Sequence, residues 1–150
     1  MGEKLTETEL AAWQAFLHAH EQVTAVLDAE LRKEHGLTWS EYDVLVRLAR
    51  APGRSLRMSD LAQRVMMSAS GLTRVVDRLA DEGLVDRRRD SGDGRVVFTQ
   101  LTDRGRDWVR KAARTHLRGI REHFIGRLSR GQLRNVASAL ETIAGPHEPH

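Results

Sequence analysis

The chain has 150 residues, enough for one domain with a moderate core rather than two independent ones. The absence of cysteine excludes disulfides, thiolate metal sites and thiol-based redox sensing, and the absence of a signal core or a membrane-length apolar stretch leads to the expectation of a soluble, cytoplasmic protein with no membrane partner. The net charge is only +3, but it is unevenly spread: 5 basic against 9 acidic side chains over residues 1–50, 11 against 8 over 54–106 and 8 against 4 over 107–150, which favours an anionic partner without naming it.

Thr6 and Glu9 have the spacing of a capping box, and a long helix follows to about His35. Its apolar stripe of Leu10, Trp13, Leu17, Leu27 and Leu31, with Phe16, Val23 and Val26 beside it, is wider than one small neighbouring lobe needs, and the surplus points to a dimer partner. Gly36 ends the helix. Thr38 and Glu41 repeat the capping box and open a helix from about Ser40 to Arg50, with Tyr42, Leu45, Val46 and Leu48 including its core-facing residues. Pro52 and Gly53 close it, and Arg54 to Arg57 leaves room for one short strand.

Residues 58–82, MSDLAQRVMMSASGLTRVVDRLADE, read as two short helices joined by a tight turn, with Ser59 and Asp60 beginning the first. Leu61, Val65, Met67, Leu72 and Val75 let one helix pack across the other, with Ala62 at the close approach. Ser68 caps the second helix, Ala69 to Glu82, which stops at Gly83. Leu72, Val75, Val76 and Leu79 form its apolar face; Ser70, Gly71, Thr73, Arg74, Asp77 and Arg78 fall on the others. Short donors and arginines at the start of such a helix are what reading base edges in a major groove requires, although a solvated helix-loop-helix in another all-helical protein has the same spacing. The turn carries Met66 where a glycine is common, so it is expected to form without a left-handed residue. Met66 and Met67 are expected to be buried, which leaves little room for methionine oxidation.

Leu84 to Arg89 and Arg95 to Leu101 have strand character and flank the turn-forming Asp90 to Gly94, which makes a hairpin, or wing. Arg87, Arg88, Arg89 and Arg95 are expected at its tip, within reach of a minor groove or flanking phosphates. Thr102 can cap a long helix to about Gly126 through Trp108, Ala112, Leu117, Ile120 and Phe124. Ser129 and Gln132 form a third capping box, starting a helix through Leu133, Val136, Leu140 and Ile143 that Gly145 and Pro146 end. The fold class expected is therefore mainly α, an α+β winged helix with six helices and a two- to three-stranded wing, an obligate dimer through its N- and C-terminal helices. Residues 1–150 form one domain, with 1–36 and 102–145 as dimerisation helices and 37–101 as the winged DNA-binding lobe.

The stretches LTWSEYDVLVRLA, MSDLAQRVMMSASGLTRVVDRLADEGLVDRR and DGRVVFTQLTDRGR resemble the MarR family of multiple-antibiotic-resistance-type regulators, over nearly the whole chain. The wing's Asp93-x-Arg95, followed by Leu101-Thr102 and Gly105, is the most specific part. The resemblance implies a homodimeric winged helix-turn-helix transcription factor, usually a repressor of a pseudo-palindromic operator in double-stranded DNA, relieved by a small aromatic or anionic effector. By position it puts Ser68, Ser70, Thr73, Arg74 and Arg78 toward the major groove and its phosphates. Arg95 would be the minor-groove finger, oriented by Asp93 through a charge-assisted bond, with Arg87, Arg88 and Arg89 as phosphate contacts. The ligand cleft implied lies between dimerisation helices and winged lobe, with Trp13, His18, Trp39, Tyr42 and His116 as candidate walls and handles.

No cofactor is expected. His18 and His20 point to different sides of a helix, and His116 and His123, seven apart, lie about 10.5 Å apart along an axis, so only a site assembled across a dimer stays open; His147 and His150 are placed in a polar tail. The chain lacks a His-Glu-x-x-His pair, a Gly-x-Ser-x-Gly elbow and a phosphate-binding glycine loop, and is not expected to be an enzyme. The rival readings are a ligand-independent or architectural DNA-binding protein, a regulator relieved by a protein partner, and an adaptor using the winged surface for protein contacts.

Overall fold

The computed structural model describes residues 4–145, so Pro146, His147 and His150 lie outside the described residues. Those described form six helices and three short strands, the mainly helical winged-helix class expected. They fall into two compact units, one of residues 27–116 and the other of residues 4–26 with 117–145. Helices α1 (Glu7–His35) and α5 (Asp103–His123) contribute to both.

The unit of residues 27–116 holds the core. Leu27 and Leu31, on the last turns of α1, are buried, and Gly36 at φ +65° then reverses the chain. The Thr38 and Glu41 box is formed: the Glu41 carboxylate accepts the Thr38 N–H at 2.7 Å and the Thr38 hydroxyl accepts the Glu41 N–H at 3.1 Å. This starts α2 (Trp39–Arg50) one residue before the expected Ser40. Val44, Leu45 and Leu48 of α2 are fully buried against Leu61 of α3 (Met58–Val65) and Leu72, Val76 and Leu79 of α4 (Ala69–Asp81). The sheet closes the core with Leu56, Val85 and Leu101, from β1 (Ser55–Arg57), β2 (Val85–Arg89) and β3 (Val97–Leu101). All pairings are antiparallel, in the order β1-β3-β2, so the strand expected over Arg54 to Arg57 lies on the far side of β3 from β2.

Two local expectations are corrected. Met66 does adopt the left-handed conformation, at φ 56°, because the turn must present the Met66 N–H to the Gln63 carbonyl and the Met67 N–H to the Ala62 carbonyl. Its side chain is 93% exposed, not buried. An L side chain gains nothing from that position, so Met66→Gly is expected to raise stability by up to about 1 kcal/mol in a urea titration. A loss of stability would show that the methionine side chain matters to folding. The second correction is the end of α5. Phe124 leaves helical geometry at φ −124°, and Ile125–Arg127 folds back over the helix end so tightly that a Cβ on Gly126 would sit 2.8 Å from the Arg121 carbonyl oxygen. The helix therefore stops at His123 rather than Gly126.

In the second unit, the Thr6 hydroxyl and the Glu9 carboxylate close the first turn of α1 reciprocally. Ser129 and Gln132 do the same for α6 (Arg130–Ala144). The apolar stripe of α1 is largely uncovered here: Trp13 is 55% exposed, and Leu10, Phe16 and Leu17 are also exposed. Phe16 and Val23 of α1, Ile120 of α5 and Val136 and Leu140 of α6 line an apolar groove of about 600 Å³.

Candidate nucleic-acid interface

The interface is built around α4. The Ser68 hydroxyl accepts the Gly71 N–H at 3.1 Å, so the helix starts where the sequence places it. With Leu72, Val76 and Leu79 turned into the core, Ser70, Thr73 and Arg74 lie on the exposed side of the first turns. The Ser70 hydroxyl is 3.3 Å from that of Ser68, and the Thr73 hydroxyl donates to the Ala69 carbonyl at 2.8 Å, which leaves its oxygen free to accept. Arg74 is exposed and makes no hydrogen bond or ion pair among the described residues.

The wing stands beside this helix. Its loop is stitched by internal bonds: the Asp93 N–H to the Asp90 carboxylate at 3.1 Å, the Val96 N–H to the Asp93 carbonyl at 3.0 Å and the Arg89 guanidinium to the Gly94 carbonyl at 3.2 Å. Asp93 accepts both the backbone N–H of Arg95, at 3.0 Å, and its Nε, at 3.3 Å, and leaves the Arg95 side chain 94% exposed. Between wing, α4 and the start of α3 lies a cleft of about 580 Å³ bounded by Arg57, Arg87, Arg89 and Arg95, with Ser59 and Thr73 on its walls. Arg57 is not among the candidates that the sequence suggests. It stacks over the Phe98 ring at 5.7 Å, and the pairing of β1 with β3 that brings it there has no signature in a three-residue strand.

Two of the expected DNA contacts already have partners within the lobe. Arg87 is not at the wing tip: opposite Thr99 in the sheet, it turns back onto α4 and pairs with Asp77. Arg78 is half exposed, but its guanidinium is turned toward the corner between α1 and α2. Its Nη1 lies 3.2 Å from the buried Glu41 carboxylate and its Nη2 donates to the Gly36 carbonyl at 3.0 Å, because one residue before Leu79 the helix surface is already turning toward α2. Arg88, whose side chain makes neither kind of bond among the described residues, is exposed on β2.

Of the candidate ligand residues, three come together. The His116 ring lies 4.9 Å from that of Trp39 and 5.0 Å from that of Tyr42. The His116 Nδ1 is buried with no hydrogen-bond partner among the described residues. Burial pushes the Tyr42 phenol up and holds the His116 imidazole below its ordinary range. Trp13 and His18 belong to the other unit, where Trp13 packs on Phe16 with ring centroids 6.1 Å apart. Since the unfolded chain binds the His116 proton more readily than the folded one, this residue's contribution to stability is complete above the ordinary histidine pKa and is lost as pH falls below it. The melting temperature is expected to drop between about pH 7 and pH 5 more steeply for the native chain than for His116→Phe; parallel curves would mean that the imidazole is not desolvated.

Comparison with known proteins agrees with this geometry. A MarR family model matches residues 35–96, from the end of α1 through the wing loop. The crystal structure of AbsC, a MarR family transcriptional regulator from Streptomyces coelicolor, is 36% identical and superposes with a TM-score of 0.87 over 95% of this chain and 96% of that one. The chain belongs to the MarR family. Sco3205, a MarR family regulator from the same organism solved in complex with DNA, is 30% identical, with a TM-score of 0.88 over 99% of this chain and 93% of its own. The HTH-type transcriptional regulator YkoM of Bacillus subtilis is 28% identical over 99% of this chain and 93% of its length. This MarR family member is accordingly a DNA-binding transcriptional regulator. No helix among the described residues is long and apolar enough to cross a membrane.

Proposed function

We propose that the chain is a cytoplasmic homodimeric repressor that binds a pseudo-palindromic operator through two copies of α4 in successive major grooves, about 10 base pairs apart. The observation that carries this reading is the pairing of a helix whose exposed first turns offer Ser70, Thr73 and Arg74 with an adjacent wing that holds Arg95 out on Asp93. Arg74 reads bases, Arg95 enters the minor groove, and Ser68, Arg88 and Arg89 contact phosphates. The dimer is held by residues 1–36 and 102–145, consistent with the exposed Leu10, Trp13, Phe16, Leu17 and Ile143 and with the apolar groove of about 600 Å³. An apolar surface of this extent on a monomer marks a site of association.

Relief by a small aromatic or anionic ligand is supported by one feature, the unpartnered His116 Nδ1 between Trp39 and Tyr42. To move the protein from 1:99 to 99:1 in favour of a DNA-incompetent state, a ligand needs about 5.5 kcal/mol of preference for that state.

The test is selection of bound sequences from a random duplex pool, repeated with Arg74→Ala and Arg95→Ala. A pseudo-palindrome with half-sites one turn apart is expected. Arg74→Ala should cost about 1–3 kcal/mol at particular bases, and Arg95→Ala should relax the preference in the flanks. Recovery of no motif by the native chain, or equal losses on operator and random DNA for Arg74→Ala, would overturn the reading.

A further inference from the structure

The corner between α1 and α2, residues 35–39, is a node at which four helices meet through polar bonds. Its Trp39 N–H donates to Asp28 of α1 at 2.7 Å. Its His35 bonds the Thr115 hydroxyl of α5 through Nε2 at 2.8 Å and accepts the Trp108 indole N–H of the same helix on its carbonyl at 3.2 Å. Its Gly36 carbonyl accepts from Arg78 of α4 at 3.0 Å. Glu41 completes the arrangement from α2: one carboxylate oxygen caps the backbone at Thr38 while the other meets Arg78, and the side chain is only 4% exposed. A buried carboxylate with both oxygens engaged is costly unless its partners stay in place, so Glu41 and Arg78 fix each other.

We infer that Arg78 is a positioning residue rather than a DNA contact, and that the Glu41–Arg78–Gly36 clasp sets the pose of α4 from the corner that also carries Trp39. The inference rests on the operator-binding reading above and adds to it the element through which a change at the Trp39–His116 pair reaches the DNA-reading helix. A guanidinium shared between a carboxylate and a backbone carbonyl offers two directed bonds, and a shift of the corner moves both anchor points together. The weaker approach of Arg78 Nε to Glu82, at 3.6 Å, lies at the end of α4 and ties it to nothing else.

The experiment measures, by fluorescence anisotropy over a salt series, the affinity of the full chain for the selected operator and for a random duplex of equal length. The variants are Arg78→Gln, Arg78→Lys, Glu41→Gln and the double Glu41→Gln/Arg78→Gln. Glutamine at position 41 keeps the capping box, which accepts Gln as readily as Glu, and so removes only the link to Arg78. Each single change is expected to lower operator affinity about tenfold, a typical coupling effect, with random-duplex affinity and salt slope unchanged. The double variant is expected to be no worse than Arg78→Gln, because the two groups act as one unit. Lysine keeps the charge but not the fork, so it should not rescue operator binding.

If Arg78 instead touches a phosphate, operator and random affinities fall together, the salt slope drops by about 0.9, lysine restores most of the loss, and the inference is overturned. Additive losses in the double variant would overturn it as well. Should the native chain bind both duplexes alike, the operator-binding reading itself fails and the positioning role falls with it.

Discussion

Gly105→Ala is expected to destabilise the fold by about 3 kcal/mol or more, the upper range for overpacking against a rigid neighbour. Helix propensity alone predicts the opposite sign, since alanine exceeds glycine by about 1 kcal/mol inside a helix. The local geometry decides. A Cβ at Gly105 would fall onto the Leu84 carbonyl oxygen and lie 3.0 Å from its carbon and 2.7 Å from Leu101 Cδ1. The backbone cannot yield, because the Thr102 hydroxyl accepts the Gly105 N–H at 2.9 Å and donates to the Gly83 carbonyl at 2.7 Å, while the Thr102 N–H holds the Leu84 carbonyl at 3.1 Å. The start of α5 is thereby pinned to the segment that leaves α4. Urea midpoints of the two proteins measure the difference, and an alanine variant as stable as the native chain would show that this contact relaxes.

The second large effect separates folding from recognition on a single helix. Leu72→Ala empties a fully buried site among α2, α3 and α4 and is expected to cost about 2–5 kcal/mol. Arg74, two residues further on, is exposed, and its removal should leave stability within about 0.5 kcal/mol. Thermal melts of the two variants check this directly. A comparable loss for Arg74→Ala would mean that this arginine is structural, and its proposed base contact would then lack support.

Features governed by residues three or four apart are legible in the amino-acid sequence. The three capping boxes at Thr6, Thr38 and Ser129, the Ser68 cap and the left-handed Gly36 all depend on local backbone geometry. The short strand at Ser55–Arg57 is legible only as room for one, since three residues carry no periodicity; its place in the sheet is set by β3. Through-space pairing leaves no such trace. In the sequence Arg87 is indistinguishable from its neighbours Arg88 and Arg89, yet the hairpin folds it toward Asp77, ten residues back. Arg78 has the pattern of a helix-face arginine, and only the packing of α2 delivers Glu41 beside it. Met66 departs from expectation for a related reason. Propensity disfavours a left-handed methionine, but closing the turn between two packed helices outweighs a local cost of order 1 kcal/mol.

The wing loop carries one more consequence. Because Asp90, Asp93 and Arg89 already hold its backbone, the tip loses little freedom on docking, and Arg95 is offered in a fixed place instead of searching for one. A fixed probe measures the width of the furrow it meets. In the proposed complex, tight A·T tracts, whose narrow minor groove concentrates negative potential, fit this tip better than broader G·C flanks, so DNA shape outside the half-sites contributes to operator choice where no base is touched.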